Sequence, residues 1–389
     1  MNPGVSKMTL VILLSNLFIS FIGIGLVIPV MPTIMNEMAL SGSIMGYMVA
    51  AFALAQLIVS PITGKWTDQF GRKKVLMIGL ILFSISELLF GLGKTVEMLF
   101  LSRILGGISG AFIMPAVTAF IADITTERAR PKALGYMSAA INTGFIIGPG
   151  IGGFLTEFGT RTPFFIAALL ACIAATISFL FLKEPTTRES IEATGDKIPT
   201  GIKRIFVPMY FFAFLLLFFS SFSLASFESL FSLFVDHKFN FTPKDIAILV
   251  TGGGLFGALA QVILFDPLTK KLGEIGLVTY SLIVSALLVF SMTVVNTYWS
   301  VMLTSCIVFI GFDLIRPAIT SYLSKHAGNE QGFVGGMNSM FTSLGNIMGP
   351  MIGGMLFDIN FNYPYYFATI VLVIGIIFSL FWKSPLSSK

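Results

Sequence analysis

Apolar residues occur along the chain in long blocks that are separated by short polar connections. A helix that crosses the hydrocarbon core of a bilayer needs ~20 mostly apolar residues. Twelve blocks reach that length, at residues 8–31, 44–63, 75–92, 97–121, 132–156, 163–182, 206–231, 245–265, 275–294, 299–323, 332–356 and 363–382. The pattern predicts an all-α integral membrane protein with twelve spanning helices.

The second half of the chain repeats the first. Residues 144–155 read GFIIGPGIGGFL and residues 345–356 read GNIMGPMIGGML, which is eight identities in 12 at an offset of 201. Ser41 and Thr242, which we expect to cap the second and eighth spans, are separated by the same offset. The repeat predicts two pseudo-symmetric six-helix bundles, residues 1–182 and 206–389. Residues 183–205 form the predicted cytoplasmic linker.

The repeated segment combines proline with a stripe of glycine. Gly144, Gly148 and Gly152 recur at every fourth residue, so one face of the predicted helix is bare backbone. In a membrane, neighbouring helices can satisfy the backbone groups that proline frees, and glycine faces allow helices to approach closely. Ordinary helix packing is one interpretation. Closure between the two bundles of a duplicated transporter is the other, and the repetition favours it.

Lysine and arginine predict the orientation of the chain. If the N-terminus is cytoplasmic, 18 of the 24 basic residues fall in cytoplasmic segments and four fall outside. Cytoplasmic loops of membrane proteins carry such an excess, so both termini are predicted to be cytoplasmic. The first apolar block is too long for a signal-peptide core and lacks a cleavage site, so we interpret it as a retained helix.

Composition excludes several classes of function. With 55% hydrophobic and 11% charged residues, and a mean hydropathy of +0.90, the chain is not an ordinary soluble protein. The net charge of +5 is spread over membrane loops and does not indicate nucleic-acid binding. Both histidines lie in loops, both cysteines lie in apolar blocks, and no phosphate-binding loop is complete. We therefore expect no cofactor, no metal site, no disulfide framework and no catalytic residues.

Five ionisable residues interrupt the apolar blocks. They are Glu87, Arg103, Glu228, Asp313 and Arg316. A charge at the middle of a spanning helix costs at least ~2.5–3.5 kcal/mol on insertion scales, so such residues usually face a cavity or each other. Glu87 lies near the outer end of its span and is expected to reach the membrane interface. Arg103 has no acid within its own span, which suggests a conformational or proton-pathway role, or a structural one.

Three of these charges belong to the second half. Asp313 and Arg316 are three residues apart and share a helical face with Phe309, while Glu228 lies in an earlier span, in a stripe of small polar residues. One arginine neutralises one acid fully, so the other carboxylate is expected to retain a proton more readily. The sequence leaves open which acid Arg316 holds. A structural ion pair that only fixes helix packing is the alternative.

Several motifs carry a resemblance to a known family. Residues 64–74 read GKWTDQFGRKK, Arg103 lies in LSRILGG, and residues 264–274 form a weaker copy of the first motif with Asp266 and Lys270. In combination they resemble the major facilitator superfamily. GIGLVIPVMP in the first span, GFDLIRPAIT in the tenth and the duplicated GPxxGG are similar to the Bmr/NorA-type bacterial multidrug efflux pumps.

The resemblance implies roles for particular residues. It implies a conformational latch of Gly64, Asp68, Gly71, Arg72 and Asp123, although the basic residues of this loop could simply anchor it to the cytoplasmic side. It implies an antiporter glycine–proline motif of Gly144, Gly148, Pro149, Gly152 and Gly153. It implies proton coupling by Glu228, Asp313, Arg316 and Arg103. With helix phase, it implies substrate binding by Glu228, Asp313, Gln56, Asn142, Phe145, Phe309, Asn338 and Phe341.

The function implied is proton-coupled export of amphipathic, often cationic drugs by alternating access. The protein would act as a monomer in a bacterial plasma membrane, with drugs, protons and lipid as its partners. Transport of a nutrient or metabolite within the same superfamily is the alternative, against which the antiporter-like motif argues. A membrane-embedded enzyme is a third possibility, but the chain has no metal-ligand cluster, no activated serine and no soluble catalytic insertion.

Overall fold

Long α-helices joined by short connections account for nearly all of the chain that the structure describes. The structure is a computed structural model that describes residues 3–126, 129–185, 208–326 and 331–382, and no strand occurs in these ranges. The helices are α1 (Pro3–Glu37), α2 (Gly42–Phe70), α3 (Arg72–Leu92), α4 (Val96–Ile124), α5 (Arg130–Leu155), α6 (Thr162–Phe181), α7 (Pro208–Phe239), α8 (Pro243–Val294), α9 (Tyr298–His326), α10 (Gln331–Ile359) and α11 (Tyr363–Phe381). A short 3₁₀ turn, Thr156–Phe158, follows α5.

Helix α8 contains two of the predicted spans. It is 52 residues long and is kinked at Gly273, whose φ of 72° lies in the left-handed region that glycine adopts without steric cost. We therefore treat α8 as a first arm, residues 243–272, and a second arm, residues 274–294. All eleven helices of the described residues are long and apolar enough to cross a membrane. The prediction of twelve spans in an all-helical membrane protein is confirmed once both arms of α8 are counted.

The chain divides into two compact units. Unit 1 comprises Met1–Met38, Ala51–Ile198 and Pro243–Ala247, and unit 2 comprises Ala39–Ala50, Pro199–Thr242 and Ile248–Lys389. The first turn of α8 therefore belongs to unit 1, and the first two turns of α2 belong to unit 2. The bundle boundaries drawn from the sequence remain a prediction, and residues 186–205 of the predicted linker lie outside the described residues.

In unit 1, some of the helices that pack together are consecutive in the chain and others are distant in it. Helix α1 packs against α5 and α6, and α3 packs against α4 and α6. Its core joins Leu13 and Leu17 of α1 to Leu80 and Phe83 of α3 and Phe120 of α4. These side chains are removed from both water and lipid, so they set the spacing of the helices around them.

Aromatic rings pack against one another throughout unit 2. Helix α7 packs against α10 and α11 and also contacts α9. The Phe234 and Tyr365 ring centroids are 4.2 Å apart, and those of Phe227 and Tyr365 are 5.6 Å apart. Aromatic pairs at these separations add to the stabilisation that burial alone provides. Many of the 40 phenylalanines are therefore explained by packing within unit 2.

The glycine stripe of α5 packs against the backbone of α1 inside unit 1. A Cβ atom on Gly144, Gly148 or Gly152 would lie 2.9, 2.7 and 2.6 Å from the carbonyl oxygens of Phe18, Ile22 and Leu26. The expectation that the stripe closes between the two bundles was wrong, because its bare face is already filled by α1. Gly153 faces elsewhere, towards Pro243 in the first turn of α8.

The repeated segment makes the same contact in unit 2. A Cβ atom on Gly345 would lie 3.0 Å from the Phe218 carbonyl oxygen of α7, and one on Gly353 would lie 2.6 Å from the Ser226 hydroxyl. The two copies of the motif thus bring α5 onto α1 and α10 onto α7 by the same means. Small residues allow such close packing in a membrane, where lipid competes with helix contacts.

A single methyl group should disturb this packing. We expect Gly148→Ala to destabilise the protein by about 1–3 kcal/mol, because α1 and α5 must separate to admit the new Cβ. The measurement is the thermal unfolding midpoint of the detergent-solubilised protein. Gly135→Ala on the same helix is the control, since no heavy atom lies within 4 Å of its Cβ position. Equal midpoints for the two variants would contradict the packing assignment.

Candidate functional site

Helices α7 and α9 place two acids and an arginine on neighbouring surfaces of unit 2. The Phe227 ring centroid of α7 lies 5.9 Å from that of Phe309 and 6.3 Å from that of Phe312 on α9. Glu228 follows Phe227, and Asp313 follows Phe312. Glu228 and Arg316 are exposed, whereas Asp313 is half-buried. We call these three residues the charged cluster of unit 2: Glu228, Asp313 and Arg316.

Two glycines of α8 form the surface on which this part of α9 rests. A Cβ atom on Gly257 would overlap the Asp313 carboxylate, and one on Gly253 would overlap the Phe309 ring. The first arm of α8 therefore fixes the positions of Asp313 and Phe309 together. The TGGGLFG sequence of α8 is a signal that sequence reasoning missed, because glycines four residues apart allow a neighbouring helix to approach.

Arg316 does not neutralise either acid in this structure. Among the described residues, no ion pair within 4.0 Å joins Arg316 to Asp313 or Glu228. The arginine that the sequence offers as a fixed partner is therefore close in sequence to Asp313 but not bonded to it. Both carboxylates remain available to other ligands.

Glu87 and Arg103 form a buried ion pair in unit 1. The Arg103 Nη2 atom lies 3.3 Å from Glu87 Oε1, and the side chains are 8% exposed for Arg103 and 2% exposed for Glu87. The guanidinium also lies 4.4 Å from the centroid of the Phe90 ring. The expectation that Glu87 reaches the interface was wrong, and Arg103 finds its acid partner outside its own span, on the neighbouring helix α3.

Antiparallel geometry explains this pairing. Helices α3 and α4 are joined by Gly93–Thr95, so residues equally distant from that connection lie opposite each other. Ser86 and Ser102 hydrogen-bond to each other's carbonyl oxygens at 2.8 and 2.9 Å, one residue from the ion pair. Counted from Lys94, Ser86 and Ser102 are each eight residues away, whereas Glu87 and Arg103 are seven and nine residues away, so the ion pair runs diagonally across the contact. Glu87 Oε2 and Arg103 Nε have no hydrogen-bond partner within the described residues.

The candidate substrate residues are distributed over both units. In unit 1, Gln56 packs near Gly110, Asn142 is exposed, and Phe145 contacts Phe21 with ring centroids 5.0 Å apart. In unit 2, Asn338 donates a hydrogen bond to Thr320 Oγ1 at 3.3 Å. Phe341 stacks on Phe214 with ring centroids 5.5 Å apart. Gln56, Asn142 and Phe145 are therefore carried by unit 1, and Phe309, Asn338 and Phe341 are carried by unit 2.

The loop between α2 and α3 brings the predicted latch residues together. Arg72 Nη2 lies 3.2 Å from Asp68 Oδ1, and Arg72 Nε lies 2.8 Å from Asp123 Oδ2 at the end of α4. Gly71 has a φ of 98°, which favours glycine, whereas Gly64 has open space around its Cβ position. Glu184, which sequence reasoning missed, accepts hydrogen bonds from the Arg72 and Lys73 amides and so caps α3.

Unit 2 carries a counterpart of this arrangement with opposite charges. Gly273, Glu274 and Lys325 stand 202 residues after Gly71, Arg72 and Asp123. Lys325 Nζ pairs with Glu274 Oε1 at the end of α9, as Arg72 pairs with Asp123 at the end of α4. The sequence copy matches Asp68 and Arg72 to Asp266 and Lys270. In the structure the counterpart of Arg72 is Glu274, four residues after Lys270.

Comparisons with known proteins agree on the family. The Major Facilitator Superfamily profile matches residues 13–329 and 213–389. Multidrug resistance protein 1 of Bacillus subtilis is 66% identical over 98% of each chain. Multidrug resistance protein 2 of the same organism is 53% identical, over 97% of this chain and 96% of the relative. The quinolone resistance protein NorA of Staphylococcus aureus is 45% identical over 96% of each chain.

Solved structures share the fold at low identity. A bacterial homologue of the human lysosomal transporter Spinster, in an inward-facing and unoccupied conformation, aligns with a TM-score of 0.83 over 99% of this chain and 100% of the other, at 17% identity. The nucleoside transporter NupG aligns with a TM-score of 0.79 over 100% of each chain, at 14% identity. With profile, relatives and fold in agreement, the chain belongs to the major facilitator superfamily and is of the Bmr/NorA type.

Proposed function

We propose that the protein is a proton-coupled antiporter that exports amphipathic, often cationic drugs across a bacterial plasma membrane. Its family supports a transporter rather than an enzyme. The names of its relatives, multidrug resistance proteins 1 and 2 and a quinolone resistance protein, support drugs as the cargo. Among the described residues, no group of three or more His, Cys, Asp or Glu could hold a metal ion. We infer that both termini are cytoplasmic, from the distribution of lysine and arginine.

The observation that carries the proposal is a pair of acids without a fixed counter-ion. Glu228 and Asp313 lie on adjacent helices of unit 2, and within the described residues Arg316 pairs with neither of them. A carboxylate in an apolar helix is costly when it is charged and unpaired. It is stabilised either by a proton or by a cationic substrate, and the two compete for the same oxygens. Such competition couples the two fluxes in opposite directions.

Aromatic rings of unit 2 suit the apolar part of such a substrate. Phe309, one turn before Asp313, is buried and shapes the surroundings of the acid from behind, whereas Phe341, which stacks on Phe214, is half-buried and keeps part of its face free. Aromatic faces attract organic cations, and the attraction is larger when the cation is desolvated. The rings tolerate many shapes because they provide surface rather than directional hydrogen bonds. Broad specificity for amphipathic cations follows from this combination.

The energy available from one proton is sufficient for export. Moving one elementary charge across a potential of 100 mV is worth ~2.3 kcal/mol. At ~1.4 kcal/mol for each factor of ten, this supports a gradient of roughly fifty-fold. This energy would drive two six-helix bundles that expose the site alternately to each side of the membrane, as in other transporters built from repeats.

We further propose that Arg72, Asp68 and Asp123 act as a latch at the cytoplasmic end of unit 1. Asp123 is the stronger partner by distance and by burial, because its side chain is 17% exposed and that of Asp68 is 72% exposed. The exposed Arg72–Asp68 pair contributes little, typically up to ~1 kcal/mol, so most of the strength of the latch comes from the Arg72–Asp123 pair. The latch would therefore affect the timing of the transport cycle rather than drug binding.

Removing the titratable proton of Glu228 should abolish proton coupling while drug molecules still move down their gradient. We expect Glu228→Gln to abolish drug accumulation driven by an imposed pH gradient while retaining downhill counterflow, because glutamine keeps the shape of the side chain but cannot exchange a proton. Both fluxes are measured in proteoliposomes. Glu97→Gln, at an exposed acid in the first turn of α4, is the control. Normal gradient-driven accumulation by Glu228→Gln would reject Glu228 as a coupling residue.

Displacing the Asp313 side chain without replacing it should selectively lower the export of cationic drugs. A methyl group at Gly257 would meet the Asp313 carboxylate, whereas one at Gly252 would meet only the Cys306 sulfur at 3.9 Å, an ordinary contact. Because small displacements of a reacting group have large effects on rate, we expect Gly257→Ala to lower export of a cationic drug about ten-fold. Export of a neutral substrate should fall less. Gly252→Ala is the matched control, and equal effects of the two alanines on cationic export would contradict the assignment.

The latch should control turnover and not affinity. We expect Asp123→Asn to slow drug export more than Asp68→Asn, following the shorter distance and deeper burial of the Asp123 pair. Equilibrium drug binding to the purified protein should remain unchanged in both. Neutralising exposed Lys65 on α2 is the control for a general change of charge. A loss of binding affinity that parallels the loss of transport would show that these residues belong to the substrate site instead.

A further inference from the structure

Arg316 of α9 carries a charge that nothing in the described part of the chain neutralises. The Arg72 and Arg103 side chains pair with acids. Those of Arg130 and Arg161 donate to backbone carbonyl oxygens. The Arg316 guanidinium, by contrast, makes no ion pair and no hydrogen bond with any described residue. A guanidinium has five N–H donors and stays charged in proteins, so this side chain is equipped to bind a ligand.

Arg316 and Thr320 form the exposed face of this part of α9. They are one helical turn apart, and they are the two exposed residues within 311–320. Nearer the start of α9 the exposed side chains are apolar, as those of Trp299 and Leu303 are. An arginine that faces hydrocarbon is far more costly than one that faces a polar cavity. The Arg316–Thr320 face is therefore assigned to a cavity rather than to lipid.

Unit 1 lacks this pair of donors. At an offset of 202, Met114 stands where Arg316 does, and Thr118 stands where Thr320 does. The Thr118 hydroxyl donates to the Met114 carbonyl oxygen at 2.8 Å, so its hydrogen is used within the helix. Thr320 Oγ1 instead accepts a hydrogen bond from the Asn338 amide of α10. Within the described ranges the Thr320 hydroxyl donates to no other group, so its hydrogen remains available to a ligand.

A guanidinium and a hydroxyl on one face match an anionic group. Arginine forms two parallel hydrogen bonds to a carboxylate, and a neighbouring hydroxyl adds a third donor. Asp313 lies one turn before Arg316, and residues at this spacing have Cβ atoms ~5–6 Å apart. The acid attracts a positive group, and the arginine attracts a negative group one turn away. A purely cationic molecule would be repelled by the arginine, whereas a molecule with both charges satisfies both side chains.

We propose that Arg316 and Thr320 form a carboxylate subsite, through which the protein binds molecules that carry a carboxylate as well as a cationic group. This role rests on the drug site of the proposed function and adds a preference among its substrates. Arg316 raises the affinity for a substrate with both charges and lowers it for one that is only cationic. Arg316 is thereby a specificity-determining residue, and its effect is measurable by binding alone.

The test compares two dyes that differ in one charge. Rhodamine B carries a carboxylate beside its cationic ring system, and rhodamine B ethyl ester carries the same ring system without the carboxylate. The purified full-length protein is kept in detergent at neutral pH and constant ionic strength. Binding of each dye is followed by fluorescence anisotropy. The quantity read is the preference, defined as the Kd of the ester divided by the Kd of the acid.

We expect Arg316→Gln to lower the preference about ten-fold, which corresponds to ~1.4 kcal/mol, because the charge-assisted bonds to the carboxylate are lost. Thr320→Val keeps the shape of the side chain, removes one donor, and should lower the preference about three-fold. Arg316→Lys keeps the charge without the planar fork and should give an intermediate value. Lys325→Gln is the control, since it removes a positive charge from the same helix at a residue that pairs with Glu274.

An unchanged preference in Arg316→Gln would overturn the proposal. Equal weakening of both dyes would also overturn it, because that result indicates a structural role for the arginine. Thermal unfolding midpoints verify that the variants are folded, and Thr320→Val provides the same comparison if Arg316→Gln does not fold. Gradient-driven export of the ester is measured separately in proteoliposomes. Export that persists beside an unchanged preference would leave the proposed drug export standing without the subsite, whereas no export by the parent protein would contradict drug export itself.

Discussion

Close approach of backbone to backbone over glycine is the constraint on which the rest of this structure depends. In each half the glycine face of one helix lies directly on another helix, α5 on α1 and α10 on α7. Membrane helices gain little from burying apolar surface, so tight packing of this kind is what holds them together. Glycine removes the side chain that would hold the two backbones apart, so any larger residue on this face would separate the pair.

The duplicated scaffold has kept its backbone contacts and changed its charges. Arg72 and Asp123 in unit 1 correspond to Glu274 and Lys325 in unit 2, so the same bond is made with reversed polarity. Arg103 corresponds to Ser305, so unit 2 has no copy of the Glu87–Arg103 pair. An ion pair survives reversal of its charges because its energy depends on their product. The scaffold therefore tolerates charge exchange wherever both partners change together.

The sequence predicted what depends on length, repetition and local spacing. Twelve spans, the duplication and the proximity of Asp68 to Arg72 all follow from residues that are near each other or related by one offset. It failed where a contact joins distant elements. Three contacts depend on which helix is the neighbour. They are the Glu87–Arg103 ion pair, the packing of the glycine stripe on α1, and the packing of Asp313 on Gly257. Apolar periodicity does not carry that information when helices are apolar on all sides.

Packing against Gly257 and the absence of a bond to Arg316 are two parts of one arrangement at Asp313. The α8 backbone restricts where the carboxylate can lie, while no ion pair within the described residues holds Asp313 to Arg316. A carboxylate held by an ion pair would have to break that bond before it could take a proton or a substrate. A carboxylate held by steric contact is positioned without being neutralised. An acid that is fixed by shape while its charge stays unsatisfied therefore suits the exchange of a proton for a cationic substrate that we propose.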